Sequence, residues 1–119
     1  MSAEKILSEW KKKTYKSIYW LEGEEEYYID LLIDYAEHHI LPESEASFNL
    51  TVFYGKDADW AQVTNACMRY PMFAEKQVVL LKEAQQMGEI EKLESYVDSP
   101  LLTTILVVGY KGKTLDKRK

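Results

Sequence analysis

Residues 77–81 read Gln77-Val78-Val79-Leu80-Leu81, and this stretch decides the fold class. A short apolar run without polar alternation predicts a strand that is buried on both faces, as in a parallel sheet covered by helices. Three further segments, 17–21, 48–54 and 103–108, are rich in aromatic and β-branched residues and also predict strands. Each of these three stops at or shortly before a glycine, namely Gly23, Gly55 and Gly109.

The segments around and between these strands carry apolar residues at helical spacing. A short amphipathic helix is predicted over 2–13. A long one runs from Gly23 to Pro42, with an apolar stripe of Tyr27, Tyr28, Leu31, Leu32 and Tyr35. A third has Asp57 as its N-cap and is closed by Pro71, and a fourth covers about 88–98 and packs through Ile90, Leu93 and Val97. The order, a helix and then β-α-β-α-β-α-β, predicts an α/β fold with a parallel sheet between two helical layers.

The composition is that of one globular domain spanning residues 1–119. Hydrophobic residues make up 46% and charged residues 29%, so the chain can build a core. Its longest apolar runs are too short to cross a bilayer, and the start at Met1 lacks the apolar core of a secretion signal. The single cysteine, Cys67, cannot form an internal disulfide and is expected to be a buried thiol. We therefore expect a cytoplasmic protein without a membrane partner.

The net charge of −5 is unevenly distributed. Residues 22–45 contain nine carboxylates and no lysine or arginine, which makes duplex DNA a poor candidate for the main ligand. Contact with nucleic acid through the basic ends stays open. The basic residues at those ends are Lys11, Lys12, Lys13, Lys16, Lys111, Lys113, Lys117, Arg118 and Lys119.

Ligands of parallel α/β sheets usually bind beyond the carboxyl ends of the strands, so a phosphate-binding loop would lie in the first strand-to-helix turn. The pattern G-x-x-x-x-G-K-[ST], started at Gly23, places Tyr28, Ile29 and Asp30 where glycine, lysine and a hydroxyl are needed. Acidic side chains at the helix start also repel a polyphosphate. The loop is therefore predicted to be degenerate and to bind no nucleotide; its residues are Gly23, Glu24, Glu25 and Glu26.

Other catalytic or metal-binding patterns are also missing. An AAA+ ATPase places Asp-Glu after the strand at 77–81, whereas this chain has Lys82-Glu83. His38 and His39 are adjacent in a helix and so point in different directions, which disfavours a shared metal. We expect no catalytic residue, no metal and no cofactor.

The connection before residues 77–81 contains an apolar pair, Met72 and Phe73, which follows Pro71. Connections usually run over the surface. The pair either folds back into the core or stays exposed as an anchor for a pocket on a partner protein. The residues alone leave both alternatives open.

Three motifs in order resemble the N-terminal domain of the delta subunit of the bacterial DNA polymerase III clamp loader. They are Tyr19-Trp20-Leu21-Glu22-Gly23-Glu24-Glu25, Pro71-Met72-Phe73-Ala74-Glu75-Lys76-Gln77-Val78-Val79-Leu80-Leu81 and Leu115-Asp116-Lys117-Arg118-Lys119. The resemblance implies a three-layer, P-loop-like (AAA+-like) domain that has lost nucleotide binding. It also implies that Met72 and Phe73, with Pro71 and Arg69 beside them, enter a hydrophobic pocket on the β sliding clamp. Arg69 stands where the common clamp-binding pentapeptide begins with glutamine, and Met72 replaces leucine.

The function implied by the resemblance is to bind the β sliding clamp and help open it during DNA replication. Such a domain has no activity of its own and works within a DNA-directed DNA polymerase (nucleotidyltransferase) holoenzyme. Members of the family are longer, with a lid and a collar domain, so the chain is expected to be a fragment. The implied partners are the clamp, the gamma/tau and delta prime subunits through the missing C-terminal domains, and primed DNA through the whole complex.

Two other functions are compatible with an α/β domain of this size. One is a nucleotide-binding AAA+-type enzyme with an atypical loop. The other is a receiver-like signalling module, in which Asp30 and Asp34 would form an acidic pocket. The two aspartates are predicted inside a helix rather than at a strand end, which disfavours the second alternative.

Overall fold

A computed structural model describes residues 3–23, 25–72 and 74–112 of the chain. Strands and helical segments alternate as predicted, except that two helices rather than one separate the first two strands. The elements are α1 (Ala3–Lys11), β1 (Ile18–Gly23), α2 (Glu26–His39), α3 (Glu43–Asn49), β2 (Leu50–Tyr54), α4 (Trp60–Cys67), β3 (Gln77–Lys82), two 3₁₀ turns (Ala84–Gln86 and Ile90–Leu93), α5 (Glu94–Asp98) and β4 (Thr104–Lys111). Within these ranges, none of the helices is long and apolar enough to cross a membrane.

The four described strands form one parallel sheet in the order β1-β4-β3-β2. The central strands β3 and β4 are almost completely buried, whereas the edge strand β2 is only half-buried. Val79 of β3 and Ile18 of β1 both lie opposite Leu106 of β4, so the register places these three strands at one level. The parallel α/β sheet predicted from the apolar run at 77–81 is confirmed.

Helices cover both faces of the sheet because successive strand side chains point to opposite sides. Val78 and Leu80 belong to the core under α1 and α2. Val79 and Leu81 belong to a second core under α4, the 3₁₀ turns and α5. The layers are therefore helix, sheet and helix, and the continuous apolar character of β3 follows from this double burial.

The predicted apolar stripe of α2 was largely wrong. Of its five residues, Leu32 is buried and Tyr35 is half-buried against Trp10, but Tyr27, Tyr28 and Leu31 are exposed. The buried residues are Ile29, Leu32, Ile33 and Ala36. Both sets have helical spacing, and the aliphatic set packs on the sheet while the tyrosine hydroxyls reach water.

The predicted helix boundaries also need correction. The N-cap of α4 is Asp59 rather than Asp57, because Asp59 forms a capping box with Gln62. Pro42 does not simply end the long helix: it is the N-cap of the additional helix α3, so β2 begins at Leu50 rather than at residue 48. The helix predicted over 88–98 is a 3₁₀ turn followed by α5, and Tyr96 is buried there instead of Val97. The last strand continues to Lys111.

Gly55 allows the chain to pass close to the residue that follows β3. Its N–H donates to the carbonyl of Lys82 at 2.8 Å, and a Cβ at this position would lie 2.2 Å from the carbonyl oxygen of Glu83. Glu83 itself adopts a left-handed conformation with φ 54°. The main chain beyond the carboxyl ends of β2 and β3 is therefore closely packed.

Candidate functional site

The first strand-to-helix turn begins with Gly23 in the left-handed region, at φ 125°. The helix α2 starts at Glu26, and its N-cap Glu25 makes no capping hydrogen bond through its side chain. Both carboxylates are exposed beside the helix N-terminus, where they interact favourably with the helix dipole. Glu24 lies outside the described residues. The arrangement therefore presents negative charge where a phosphate-binding loop presents amide groups.

Lys111 bridges two carboxylates at the carboxyl edge of the sheet. Its Nζ lies 2.6 Å from Asp30 Oδ1 and 2.6 Å from Glu83 Oε2. Partial burial disfavours the charged amine, but the hydrogen bonds and charges of the two acids outweigh it, so the pKa of Lys111 is raised. Hydrogen bonds from Lys111 and Gln85 lower the pKa of Glu83. Lys111 is thus paired within the domain and does not belong to a free basic end.

Lys82 occupies the position at which an AAA+ ATPase has aspartate. Its amine donates to Glu37 Oε1 at 2.7 Å and lies 5.5 Å from the centre of the Tyr54 ring. Burial opposes protonation, yet Glu37 and Tyr54 together raise the pKa of Lys82. This amine is therefore held as a cation by an internal acid.

A pocket of about 250 Å³ lies between α2 and the ends of β3 and β4. Its lining combines apolar residues of α2 with the two paired lysines and three carboxylates. Among the described residues, no three His, Cys, Asp or Glu side chains converge as metal ligands do. The lining residues are Ile29, Asp30, Ile33, Asp34, Lys82, Glu83, Gly109 and Lys111.

The connection between α4 and β3 lies at the opposite, amino edge of the sheet. There the side-chain amide of Asn49 forms two hydrogen bonds with the backbone of Met72. Met72 N–H donates to Asn49 Oδ1 at 2.7 Å, and Asn49 Nδ2 donates to the Met72 carbonyl at 2.8 Å. Asn49 is 2% exposed, whereas Met72 is 52% exposed. The backbone of Met72 is thus held from inside while its side chain reaches solvent.

A second buried amide, that of Gln77, holds the start of the same connection. Gln77 Nε2 lies 2.6 Å from the carbonyl oxygen of Arg69, 3.0 Å from that of Ala66 and 2.9 Å from Thr104 Oγ1. The contacts with the Arg69 and Ala66 carbonyls connect the end of α4 and the residues after it to the start of β3. Both ends of the connection are therefore fixed to the core.

The structure exposes further large apolar side chains along this connection. Met68 and Tyr70 are exposed, Tyr70 at 73%, and Phe48 is exposed beside Asn49 in the sequence. Arg69 is exposed and Pro71 is half-buried. Phe73 lies outside the described residues. We call residues 68–76 the apolar loop.

Sequence reasoning missed Asn49 and Tyr70. The available signal for Asn49 was a polar side chain between Phe48 and Leu50, inside a segment predicted to be a strand, where asparagine is uncommon. Cys67, predicted to be a buried thiol, is fully buried, and desolvation raises its pKa to about 12. At neutral pH it is therefore a neutral thiol and a poor nucleophile.

Comparison with known proteins relates this geometry to a family. The model of the family described as DNA polymerase III, delta subunit, matches residues 19–119. The chain belongs to this family. It is the same family that the three sequence motifs resemble.

Individual members of the delta family agree with this assignment. DNA polymerase III subunit delta of Bacillus subtilis (strain 168) is 27% identical over an alignment of 119 positions, which covers 92% of the chain and 34% of that protein. The solved structure of a Bacillus subtilis DNA clamp loader delta protein has the same fold, with a TM-score of 0.85 at 23% identity. The structural match covers 99% of this chain and 38% of the Bacillus subtilis chain. The chain therefore spans about a third of these relatives, and its fold is the predicted P-loop-like one.

Proposed function

We propose that this domain binds a ring-shaped sliding clamp through the apolar loop and acts as a non-catalytic part of a clamp loader. The observation that carries the proposal is the exposed side chain of Met72 on a backbone held by buried Asn49. Because this side chain is already exposed, it can enter a pocket on a partner without first leaving the core of this protein. The related Bacillus subtilis structure is that of a DNA clamp loader delta protein, which supports a clamp as the partner.

The anchor consists of Met72 and Phe73, with Tyr70, Pro71 and Arg69 around it. Full burial of one such side chain in a pocket contributes about 1.5–3 kcal/mol. Aromatic anchors dominate interface energies, and methionine adapts to irregular pockets. Arg69 is exposed and can donate to acceptors on the pocket rim.

The test is a titration of the cognate sliding clamp, measured by calorimetry, against Met72→Ala, Phe73→Ala and the double variant. We expect the double variant to lose about 2–5 kcal/mol of binding free energy, with an unchanged melting temperature. Tyr27→Ala is the matched control, because Tyr27 is an aromatic side chain that is 69% exposed on α2, far from the apolar loop. Wild-type affinity in the double variant would overturn the proposal.

Clamp opening is a separate step of the proposed function. Surfaces of the helices next to the apolar loop would bear against the ring beside one of its subunit interfaces. A donor and an acceptor dye placed across that interface report opening as a loss of energy transfer. We expect this loss with the wild-type chain and not with the double variant at equal concentration.

The remaining partners follow from the delta family. We propose that other clamp-loader subunits and primed DNA are engaged by the assembled complex, in the cytoplasm where replication takes place. The carboxyl edge, with its paired lysines, takes no part in nucleotide hydrolysis under this proposal. ATP would be used by other subunits of the complex.

A further inference from the structure

Asn49 uses its side-chain amide as a peptide-like partner for a residue 23 positions away in the sequence. Its Oδ1 accepts from the N–H of Met72 and its Nδ2 donates to the carbonyl of the same residue. Nδ2 also contacts the carbonyl oxygen of Glu45 at 3.2 Å, within α3. The amide therefore ties the end of α3 to the apolar loop.

The pairing determines the direction in which Met72 points. Two residues that exchange both N–H···O bonds in an antiparallel ladder show the same two-point contact, and there the side chains stand away from the hydrogen-bonding edge. Because both polar groups of Met72 face Asn49, its side chain leaves the backbone toward solvent, in agreement with its 52% exposure. A single hydrogen bond would leave rotation about that contact free.

Other contacts of the apolar loop do not act on the anchor itself. Gln77 holds the carbonyl of Arg69, three residues earlier. Lys76 donates through Nζ to the carbonyl of Leu102 at 2.9 Å, four residues later. Of the hydrogen bonds described for the loop, those of Asn49 are the ones that fix the anchor residue.

We propose that Asn49 is a positioning residue for clamp binding: its buried amide presets the backbone of Met72 so that the anchor side chain is presented before the partner arrives. This inference rests on the proposed function. Presetting matters because backbone freedom that is lost in the free protein does not have to be lost on association. Asn49 itself is buried and is not expected to touch the clamp.

The mutational test replaces Asn49 by leucine, which has a similar shape and neither hydrogen bond. We expect the clamp dissociation constant to rise about tenfold, since one ordered residue is released. Tyr19→Phe is the matched control, because it removes the hydroxyl of a buried side chain that accepts from the Lys16 N–H at 2.8 Å, on the edge strand opposite to β2. An equal loss of affinity in both variants at similar stability would reduce the effect to general destabilisation and overturn the proposal.

A double-mutant cycle separates positioning from a purely structural role. If Asn49 acts through the Met72 side chain, then Asn49→Leu weakens binding much less in a Met72→Ala background than in the wild type. If the fold-changes in the clamp dissociation constant for Asn49→Leu and Met72→Ala simply multiply in the double variant, the inference is contradicted. If Met72→Ala and Phe73→Ala leave binding intact, the proposed function fails instead, and the two failures are thereby distinguished.

Hydrogen exchange gives a test that does not need the clamp. The amide of Met72 donates to a buried oxygen, so we expect its exchange to be at least about tenfold slower than the rate of an unprotected amide. In Asn49→Leu, the protection should disappear while that of the β3 amides persists. Exchange of the wild-type Met72 amide at the unprotected rate would refute the pairing and with it the inference.

Discussion

At the scale of single residues, the two paired lysines, Lys82 and Lys111, dominate the electrostatics of the carboxyl edge. Each amine contacts a carboxylate within 2.7 Å, and the side chain of Lys111 is only 13% exposed. An exposed ion pair contributes under about 1 kcal/mol to the free energy of unfolding, and breaking a buried pair costs about 3–5 kcal/mol. The contribution of a half-buried pair such as these lies between the two values. Lys111 is therefore expected to contribute measurably to stability.

We predict that Lys111→Met lowers the free energy of unfolding by about 1–2 kcal/mol at pH 7 in urea denaturation. The control is Lys92→Met, which breaks an exposed pair with Glu89 at 3.6 Å and should cost less than about 1 kcal/mol. Equal losses in the two variants would contradict this interpretation of Lys111.

The effect of Lys111 should also depend on pH. Because Lys111 lowers the pKa of Glu83 in the folded state, the stabilisation is present above the ordinary pKa of 4.5 and is lost as the pH falls through the lower folded value. The difference between wild type and Lys111→Met should therefore narrow at pH 3. Urea denaturation of both proteins at pH 3 measures this stability difference.

Residue roles were partly predictable from sequence. The acidic helix start and the substitution of Lys82 for aspartate are local patterns and could be read directly. Lys111 was expected at a free basic end, and its pairing with Asp30 and Glu83 depends on how β4 lies against α2 and β3. Asn49 contacts Met72 only through tertiary structure, so neither partner indicates the other in the sequence.

At the scale of elements, α4 begins with a capping box between Asp59 and Gln62. The Asp59 carboxylate accepts from Gln62 N–H at 2.9 Å, and the Gln62 side chain accepts from Asp59 N–H at 3.0 Å. Two amide groups at the helix start are satisfied in this way. The apolar loop follows directly from α4, so the position of this helix bears on that of the anchor.

We predict that Asp59→Ala lowers the free energy of unfolding by about 1 kcal/mol, the usual cost of losing such a cap. Asp57→Ala is the matched control: Asp57 is exposed in the turn before the helix and should change stability by less than about 0.5 kcal/mol. Thermal or urea unfolding of the two variants decides between the aspartates. A larger cost for Asp57→Ala would favour the N-cap expected from sequence.

The elements differ in how far the sequence predicts them. The strands were predicted correctly because apolar runs such as 77–81 are too short to be typical helices. The face of α2 was mistaken because two sets of residues share the helical spacing, and only packing distinguishes Ile29 and Ile33 from the neighbouring tyrosines. The 3₁₀ turn at Ile90–Leu93 follows Glu89, which has a positive φ of 56° that its sequence context does not predict.

At the scale of the whole molecule, the two candidate regions lie at opposite ends of β3. The apolar loop precedes Gln77, whereas Lys82 follows Leu81 and Lys111 ends the neighbouring strand β4. The six residues of β3 span about 17 Å. The two regions therefore lie at opposite edges of the sheet.

We predict that millimolar Mg-ATP does not raise the melting temperature of the chain. The pocket presents exposed carboxylates, and both of its lysines are already paired with internal acids. A ligand at one hundred times its dissociation constant would add about 2.7 kcal/mol of stability, which a thermal shift detects easily. Sodium chloride at the same ionic strength is the control, and a rise of several degrees specific to Mg-ATP would favour the nucleotide-binding alternative.

The close approach of Gly55 to the carbonyl of Glu83 has a consequence for protein engineering. Placing glycine, lysine and serine after β1, and aspartate at position 82, would not by itself alter the main chain at Glu83. The left-handed main chain at Glu83, held against Gly55, would still direct that carboxylate toward Lys111. Converting this scaffold into an ATPase would thus require a change in the main chain at Glu83 in addition to these substitutions.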